Sequence, residues 1–195
     1  MDLLLATRNA HKTREVQRIL GPHFVVRDLS KHSEIPEIEE SGKSLEENAV
    51  LKAMAASNKL PELVIADDSG LEVDALNGAP GIYSARYAGE RATDQENNDK
   101  LLHELKRANA GKDRRLARFR CVLALVRESR ILGTFEGVVE GTIVDLPRGN
   151  GGFGYDPIFK PNGFDQTFGE LSATEKDRVS HRGRALEKLR ARLSS

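Results

Sequence analysis

The chain has no tryptophan, one cysteine and no surplus of either charge, with 30 lysines and arginines against 30 aspartates and glutamates. The lone cysteine, Cys121, excludes an internal disulfide framework. It fits a reducing compartment such as the cytoplasm and reads as a small buried hydrophobe. Balanced charge excludes a global field that would hold the protein on nucleic acid or an anionic membrane, so any phosphate binding must be local and no nucleic-acid partner is expected. No apolar run approaches the length of a membrane span. The opening Met1-Asp2-Leu3-Leu4-Leu5-Ala6 is too short for a signal-peptide core, and Asp2 stands where such a peptide needs a basic flank. Internal repeats, low-complexity linkers and the P-loop spacing are also missing. What is present, 38% hydrophobic and 31% charged residues over 195 positions, predicts a folded protein: one globular unit spanning 1–195, with a single core or two tightly joined lobes.

Leu3-Leu4-Leu5-Ala6 reads as a strand, followed by a polar turn and a helix in which Val16, Ile19 and Leu20 recur up to Gly21-Pro22. Phe24-Val25-Val26 suggests a second strand, and residues 31–43, with Glu34, Glu37, Glu39 and Glu40, an exposed acidic loop. Capping-box spacing at Ser44-Leu45-Glu46-Glu47 starts an alanine-rich helix to Asn58. Leu63-Val64-Ile65-Ala66 is a buried strand that runs into Asp67-Asp68-Ser69-Gly70. A turn at 77–81 and a loop to Glu90 precede a capped helix from Thr93 to about Arg107. Alternation in 119–125 and the run 131–139 predict antiparallel neighbours. Ser172-Ala173-Thr174-Glu175 is a third capping box, and Ala185, Leu186, Leu189 and Leu193 mark a final amphipathic helix. Interleaved helices and strands with a hairpin give an α/β protein whose central mixed β-sheet is flanked by helices. Ligands in such sheets gather beyond the carboxyl ends of strands, where residues 7–12 and 67–70 fall.

Four clusters carry candidate chemistry. The acids Glu39, Glu40, Asp67 and Asp68 suit a hard cation such as Mg²⁺, which prefers carboxylate oxygens and shares them with phosphates; alternatively, one of the Asp67-Asp68 pair caps a turn and the other is solvated. Thr7-Arg8-Asn9-Ala10-His11-Lys12 places a hydroxyl, an amide and cations at a helix N-terminus, which favours anions, though an ordinary cap would look the same. Residues 149–157 combine four glycines with Phe153, Gly154, Tyr155 and Asp156. They read either as a loop that lets backbone approach a ligand while Phe153 stacks on a base, or as a tight turn with both rings in the core. Lys176 and Ser180-His181-Arg182-Gly183 offer donors for a carbonyl or phosphate oxygen; the plainer reading is surface charges and a helix cap. The basic run Lys106, Arg107, Lys112, Arg114, Arg115, Arg118 and Arg120 reads as a solvated helix end and strand edge.

In order along the chain, Thr7-Arg8-Asn9-Ala10-His11-Lys12, residues 40–49, Ala66-Asp67-Asp68-Ser69-Gly70-Leu71, residues 78–87, Gly151-Gly152-Phe153-Gly154-Tyr155-Asp156-Pro157 and Ser180-His181-Arg182-Gly183 resemble the inosine triphosphate pyrophosphatase family. The resemblance implies an elongated, two-lobed fold with the substrate cleft between the lobes, and a homodimer. It implies hydrolysis of deaminated purine nucleoside triphosphates (ITP, dITP, XTP) to monophosphate and pyrophosphate, with attack at the α-phosphorus. Thr7, Asn9 and Lys12 would hold the triphosphate, within a substrate turn that includes Arg8, Ala10 and His11. Glu40 and Asp68 would organise Mg²⁺, and Asp68 would also be the base. Ser69 would touch substrate, while Phe153, Gly154, Tyr155, Asp156, Lys176, His181 and Arg182 would surround the nucleoside. The role of Asp67 stays open between metal support and structural cap. Arg8 departs from the glycine or serine of many members; it adds phosphate affinity or points to solvent. The missing tryptophan is a second departure. The competing classes are a metal-free nucleotide-binding module and a phosphatase or pyrophosphatase acting on other nucleotides.

Overall fold

The computed structural model describes residues 1–36, 38–111 and 114–194. Glu37 of the acidic loop and Lys112 of the basic run lie outside the described residues. The fold is α/β with a mixed sheet. Strands β1 (Asp2–Leu5), β2 (Val25–Asp28), β3 (Val64–Val73), β4 (Pro80–Gly81), β5 (Leu116–Arg127), β6 (Arg130–Ile143) and β7 (Phe159–Pro161) make up the sheet among the described residues. Their order is β2-β1-β3-β5-β6-β7, with β4 beside β3. β1 is parallel to both β2 and β3, whereas β4 is antiparallel to β3 and β7 to β6. The helices are α1 (Ala10–Leu20), α2 (Leu45–Ser57), α3 (Asp94–Arg107), α4 (Ala173–Val179) and α5 (His181–Leu193).

The chain divides into two compact units: 1–68 with 121–137 and 181–195, and 69–120 with 138–180. In the first, Leu3, Leu5, Ile65, Cys121, Leu123 and Leu125 on strands pack with Val16 and Leu20 of α1 and with Ala185, Leu186 and Leu189 of α5. Strands covered on both faces read as unbroken apolar runs, which is why Leu3-Leu4-Leu5 and Val64-Ile65-Ala66 show no alternation. Cys121 is buried, as its size predicts. In the second unit, Leu71, Val73, Leu101, Leu105 and Ile158 surround a cluster of Phe119, Phe159 and Phe168, with the Phe119 and Phe159 centroids 4.7 Å apart.

The helix starts follow their sequence signals. Thr93 and Ser172 each form a reciprocal capping box, with Glu96 and Glu175 respectively. Ser44 accepts from Glu47 N, but the Glu47 carboxylate takes the Lys43 N–H, so this box is only half closed and instead ties down the incoming loop. The hairpin is longer than the alternation indicates. β5 and β6 meet at Glu128-Ser129, both with positive φ, and Ser129 is held by Ser57 and Asn58. Arg118 and Arg120 are not on a strand edge, because β5 lies between β3 and β6. Arg118 pairs with Glu72, Asp74 and Glu140, and Arg120 with Glu72.

Candidate functional site

The acidic pair sits differently from its sequence-level placement. β3 does not stop at Ala66 but continues to Val73, so Asp67 and Asp68 lie within the strand. They remain beyond the end of the β1 pairing, which stops at Leu5 opposite Ile65, after which the chain turns at Thr7. Successive side chains of a strand point to opposite faces. Asp67 and Asp68 therefore enter two different surroundings of the first unit.

Asp67 meets α1 and α5. Its Oδ1 is 2.9 Å from Lys12 Nζ, and its Oδ2 accepts from Arg182 Nε at 3.2 Å and Nη2 at 2.8 Å. Arg182 Nη1 in turn donates to Glu15. Lys12 and Glu15, three apart on α1, face the same way. Arg182 is only 2% exposed and Asp67 3%. Burial pushes the Asp67 carboxyl up, yet Lys12, Arg182 and Lys52 outweigh it and hold the group well below the usual aspartate range. Arg182 is held above its ordinary value by Asp67 and Glu15 despite desolvation. Sequence reasoning missed Glu15, a charged residue buried on α1 beside Val16 and Leu20.

Asp68 meets α2 and the acidic loop. Lys52 Nζ lies 2.6 Å from Asp68 Oδ1 and 2.8 Å from Glu40 Oε1, so a single ammonium draws together two carboxylates far apart in sequence. Asn48, four residues before Lys52 and on the same face of α2, donates to Asp68 Oδ2 at 3.3 Å. Burial raises the Asp68 carboxyl above the ordinary aspartate value. Lys52 opposes that rise, and the neighbouring Glu40 charge adds to it. Burial works against the Lys52 charge, but Asp68, Glu40 and Asp67 raise it above the usual lysine value. Sequence reasoning missed Lys52 and Asn48, buried polar residues inside an alanine-rich helix whose other inward positions, Ala49, Ala53 and Ala56, are core. Glu39 is exposed.

The donor set fits a hard cation. Glu40 and Asp68 offer carboxylate oxygens and no thiolate or imidazole. Among the described residues no group of three His, Cys, Asp or Glu side chains is placed to hold a metal by itself. Two carboxylates completed by phosphate oxygens and water is the usual arrangement for Mg²⁺.

The N-terminal turn is ordered by its own side chains. Thr7 Oγ1 accepts from Asn9 N at 3.1 Å, and Asn9 Oδ1 caps α1 by accepting from His11 N at 2.9 Å and Lys12 N at 3.3 Å. Ala10 and His11 are exposed in the first turn of α1. Arg8 is exposed. Its guanidinium donates to the carbonyls of His32 and Ile35 and so pins the loop after β2.

The second unit holds the glycine-rich loop. Asp156 Oδ2 accepts from Phe153 N at 2.8 Å and from Lys176 Nζ at 2.7 Å, and that ammonium stands 4.9 Å from the Phe153 ring centroid. Gly152 makes this possible: φ is +73°, and a Cβ there would stand 1.9 Å from Asp156 Oδ2. Lys176 is thus a buried, paired cation and not a solvated one, and Phe153 is half-buried. Tyr155 belongs to the core, with its hydroxyl donating to Ser84 O at 2.8 Å. Gly154 is tied through its N–H to Asp94 and its carbonyl to Asn98. Ser69 is half-buried on β3.

A sequence model of the Ham1 family matches residues 3–192. The chain is 50% identical over 193 residues to a dITP/XTP pyrophosphatase of Bacillus licheniformis, covering 98% of this chain and 97% of that protein. It is 48% identical to a dITP/XTP pyrophosphatase of Bacillus subtilis, covering 96% and 94%. Among solved structures it is similar to a HAM1 protein from Coxiella burnetii, with TM-score 0.88, 41% identity and coverage of 100% and 98%. A nucleoside-triphosphatase, dITP/XTP pyrophosphatase, from Mycobacterium abscessus gives TM-score 0.77 at 42% identity, covering 97% and 98%.

Proposed function

Because the chain belongs to the Ham1 family, we propose that it hydrolyses deaminated purine nucleoside triphosphates, dITP, ITP and XTP, to the monophosphate and pyrophosphate, and so removes them from the nucleotide pool. The observation that carries this reading is the pairing of Glu40 and Asp68 on one buried ammonium, with Lys12 held on the adjacent Asp67.

Glu40 and Asp68 would hold Mg²⁺, which supplies charge neutralisation on the triphosphate when bound. Asp68 accepts the proton of the water that attacks the α-phosphorus. Lys12 and the Thr7–Asn9 turn bind phosphate oxygens, Ser69 adds a substrate contact, and Lys52 fixes the Asp68 carboxylate. Asp67 is assigned to anchoring Lys12 and Arg182 and not to the metal, since both its oxygens already face cations.

Recognition of the purine 6-oxygen is proposed for the first turn of α5, where His181 and Arg182 lie. Asp67 and Glu15 already fix the Arg182 guanidinium, so a donor presented there loses little further freedom on binding. Adenine presents an amino group in place of that oxygen, and a buried donor left unpaired costs about 1–3 kcal/mol, roughly ten- to a hundredfold. Guanine shares the 6-oxygen and requires a second device. In the second unit, the half-buried Phe153 ring backed by Lys176 is proposed as a stacking surface for a base. A homodimer and a cytoplasmic location complete the proposal. The first is tested by sedimentation, the second by fractionation; no helix of the described residues is long and apolar enough to cross a membrane.

A panel of dITP, ITP, XTP, dATP and dGTP, with products identified in Mg²⁺ and in EDTA, tests the reading. Pyrophosphate and monophosphate are expected from the first three, with dATP at least tenfold slower and EDTA abolishing turnover. Orthophosphate release, or equal turnover of dATP and dITP, would overturn it.

A further inference from the structure

Glu40 sits on a loop, and a loop carboxylate is useful to a metal only if something fixes its distance from Asp68. Lys52 pairs with both carboxylates, and a second side chain on the same face of α2 ties the loop backbone to Asp68. Asn48 is fully buried in the first turn of α2, and its terminal amide is used at both ends. Its Oδ1 accepts from Gly42 N at 2.8 Å, two residues beyond Glu40, and its Nδ2 donates to Asp68 Oδ2 at 3.3 Å. The assignment of O and N is forced by the partners: a backbone N–H needs an acceptor and a carboxylate needs a donor. Only a short side chain carrying one of each on the same carbon satisfies both. Asp would lose the donor and face Asp68 with a like charge, Ser would lose reach, and Ala would leave the part-buried Gly42 N–H without this acceptor.

Gly42 is shaped to this clasp. A Cβ on Gly42 would stand 2.5 Å from Asn48 Oδ1 and 2.9 Å from the Asn48 backbone nitrogen, so the loop approaches α2 closer than any side chain permits. With Oδ2 of Asp68 occupied by Asn48, Oδ1 is the oxygen turned to Lys52 and, through it, to Glu40.

We infer that Asn48 is a positioning residue that clasps the Glu40 loop to Asp68 and thereby sets the spacing of the two carboxylates for a divalent cation. The inference rests on the proposed metal site at Glu40 and Asp68. Partners that orient metal ligands are worth roughly ten- to a hundredfold in metal affinity. The test is Mn²⁺ binding to the full chain, read from the free Mn²⁺ signal in electron paramagnetic resonance, with and without a non-hydrolysable dITP analogue. Circular dichroism melts confirm that each variant is folded.

Asn48→Ala is expected to weaken Mn²⁺ binding at least tenfold while the KM for dITP at saturating metal changes less than threefold. Gly42→Ala, which opens the clasp from its other end, is expected to give a similar loss, and the double variant no more than either alone, because both remove one coupling. Should Asn48→Ala lower only the melting temperature, or the two losses multiply, the clasp is wrong. Glu40→Gln separates the two readings. If it binds Mn²⁺ as the unmodified chain does, the metal site itself fails; if it loses the ion while Asn48→Ala and Gly42→Ala keep it, only the clasp fails.

Discussion

Replacing Arg182 with Met tests the buried charge network directly. Its guanidinium, 2% exposed, donates to Asp67 twice and to Glu15 once, so one substitution strips the Arg182 charge from two buried carboxylates. Asp67 keeps Lys12 at 2.9 Å. Breaking a buried pair by removing one partner costs about 3–5 kcal/mol, a large part of the 5–15 kcal/mol that holds a typical domain. The assay is urea unfolding followed by far-UV circular dichroism, since the chain has no tryptophan to report. pH gives a second, signed readout. In the unmodified chain Asp67 has a depressed pKa, so its contribution is present above the unfolded value of about 4 and is lost as pH falls through the lower folded value. It therefore adds no slope between pH 7 and 5. In Arg182→Met the Asp67 carboxyl loses one of the cations that hold it low, so the stability gap between the two chains narrows as pH falls below about 4. A loss below about 1 kcal/mol, or a gap that widens as pH falls below about 4, would refute the reasoning.

Lys52→Met leaves Glu40 and Asp68 facing each other without their shared ammonium and should lower kcat/KM for dITP by a hundredfold or more in a pyrophosphate-release assay, with Lys52→Arg recovering part of it. In the metal-free chain the Asp68 carboxyl, followed by its carboxyl-carbon chemical shift against pH, should protonate above the ordinary aspartate value of 3.8, because burial and the Glu40 charge raise it; a midpoint at or below that value contradicts its buried placement. Gly152→Ala drives a Cβ into Asp156 and should open the Asp156–Lys176 pair, raising KM for dITP severalfold with little change in kcat. Phe153→Ala should raise KM by roughly tenfold or more if a base stacks there, at about 1–3 kcal/mol per stacked base.

Much of the fold follows from local signals in the chain. Thr93-Asp94-Gln95-Glu96 and Ser172-Ala173-Thr174-Glu175 close their capping boxes because hydroxyl and carboxylate are each within reach of the other's backbone N–H. Such signals need no tertiary context. β7, a three-residue strand, and β4, two residues in a turn-like stretch, carry no periodicity to read and exist through their pairing with β6 and β3. The true length of β3 was hidden for a related reason. Asp-Asp-Ser-Gly is poor strand sequence, and only tertiary pairing carries the extended backbone through it to Val73.

The meaning of the acidic doublet depends on that extension. In a turn, Asp67 and Asp68 would share one environment and one choice between metal ligand and cap. In a strand, the two-residue period sends them to opposite faces, and the question divides. Asp67 meets Lys12 and Arg182, and its charge holds α1 and α5 to the strand; Asp68 meets Lys52, Asn48 and, through Lys52, Glu40, and its carboxyl is raised by burial. The helix residues that complete each side, Glu15, Asn48 and Lys52, are buried polar positions, beside Val16 and Leu20 on α1 and among buried alanines on α2. Their function becomes visible only when a partner of opposite charge or complementary hydrogen bonding is placed against them, and for each one such partner lies more than fifteen residues away: Arg182 for Glu15, and Asp68 for Asn48 and Lys52.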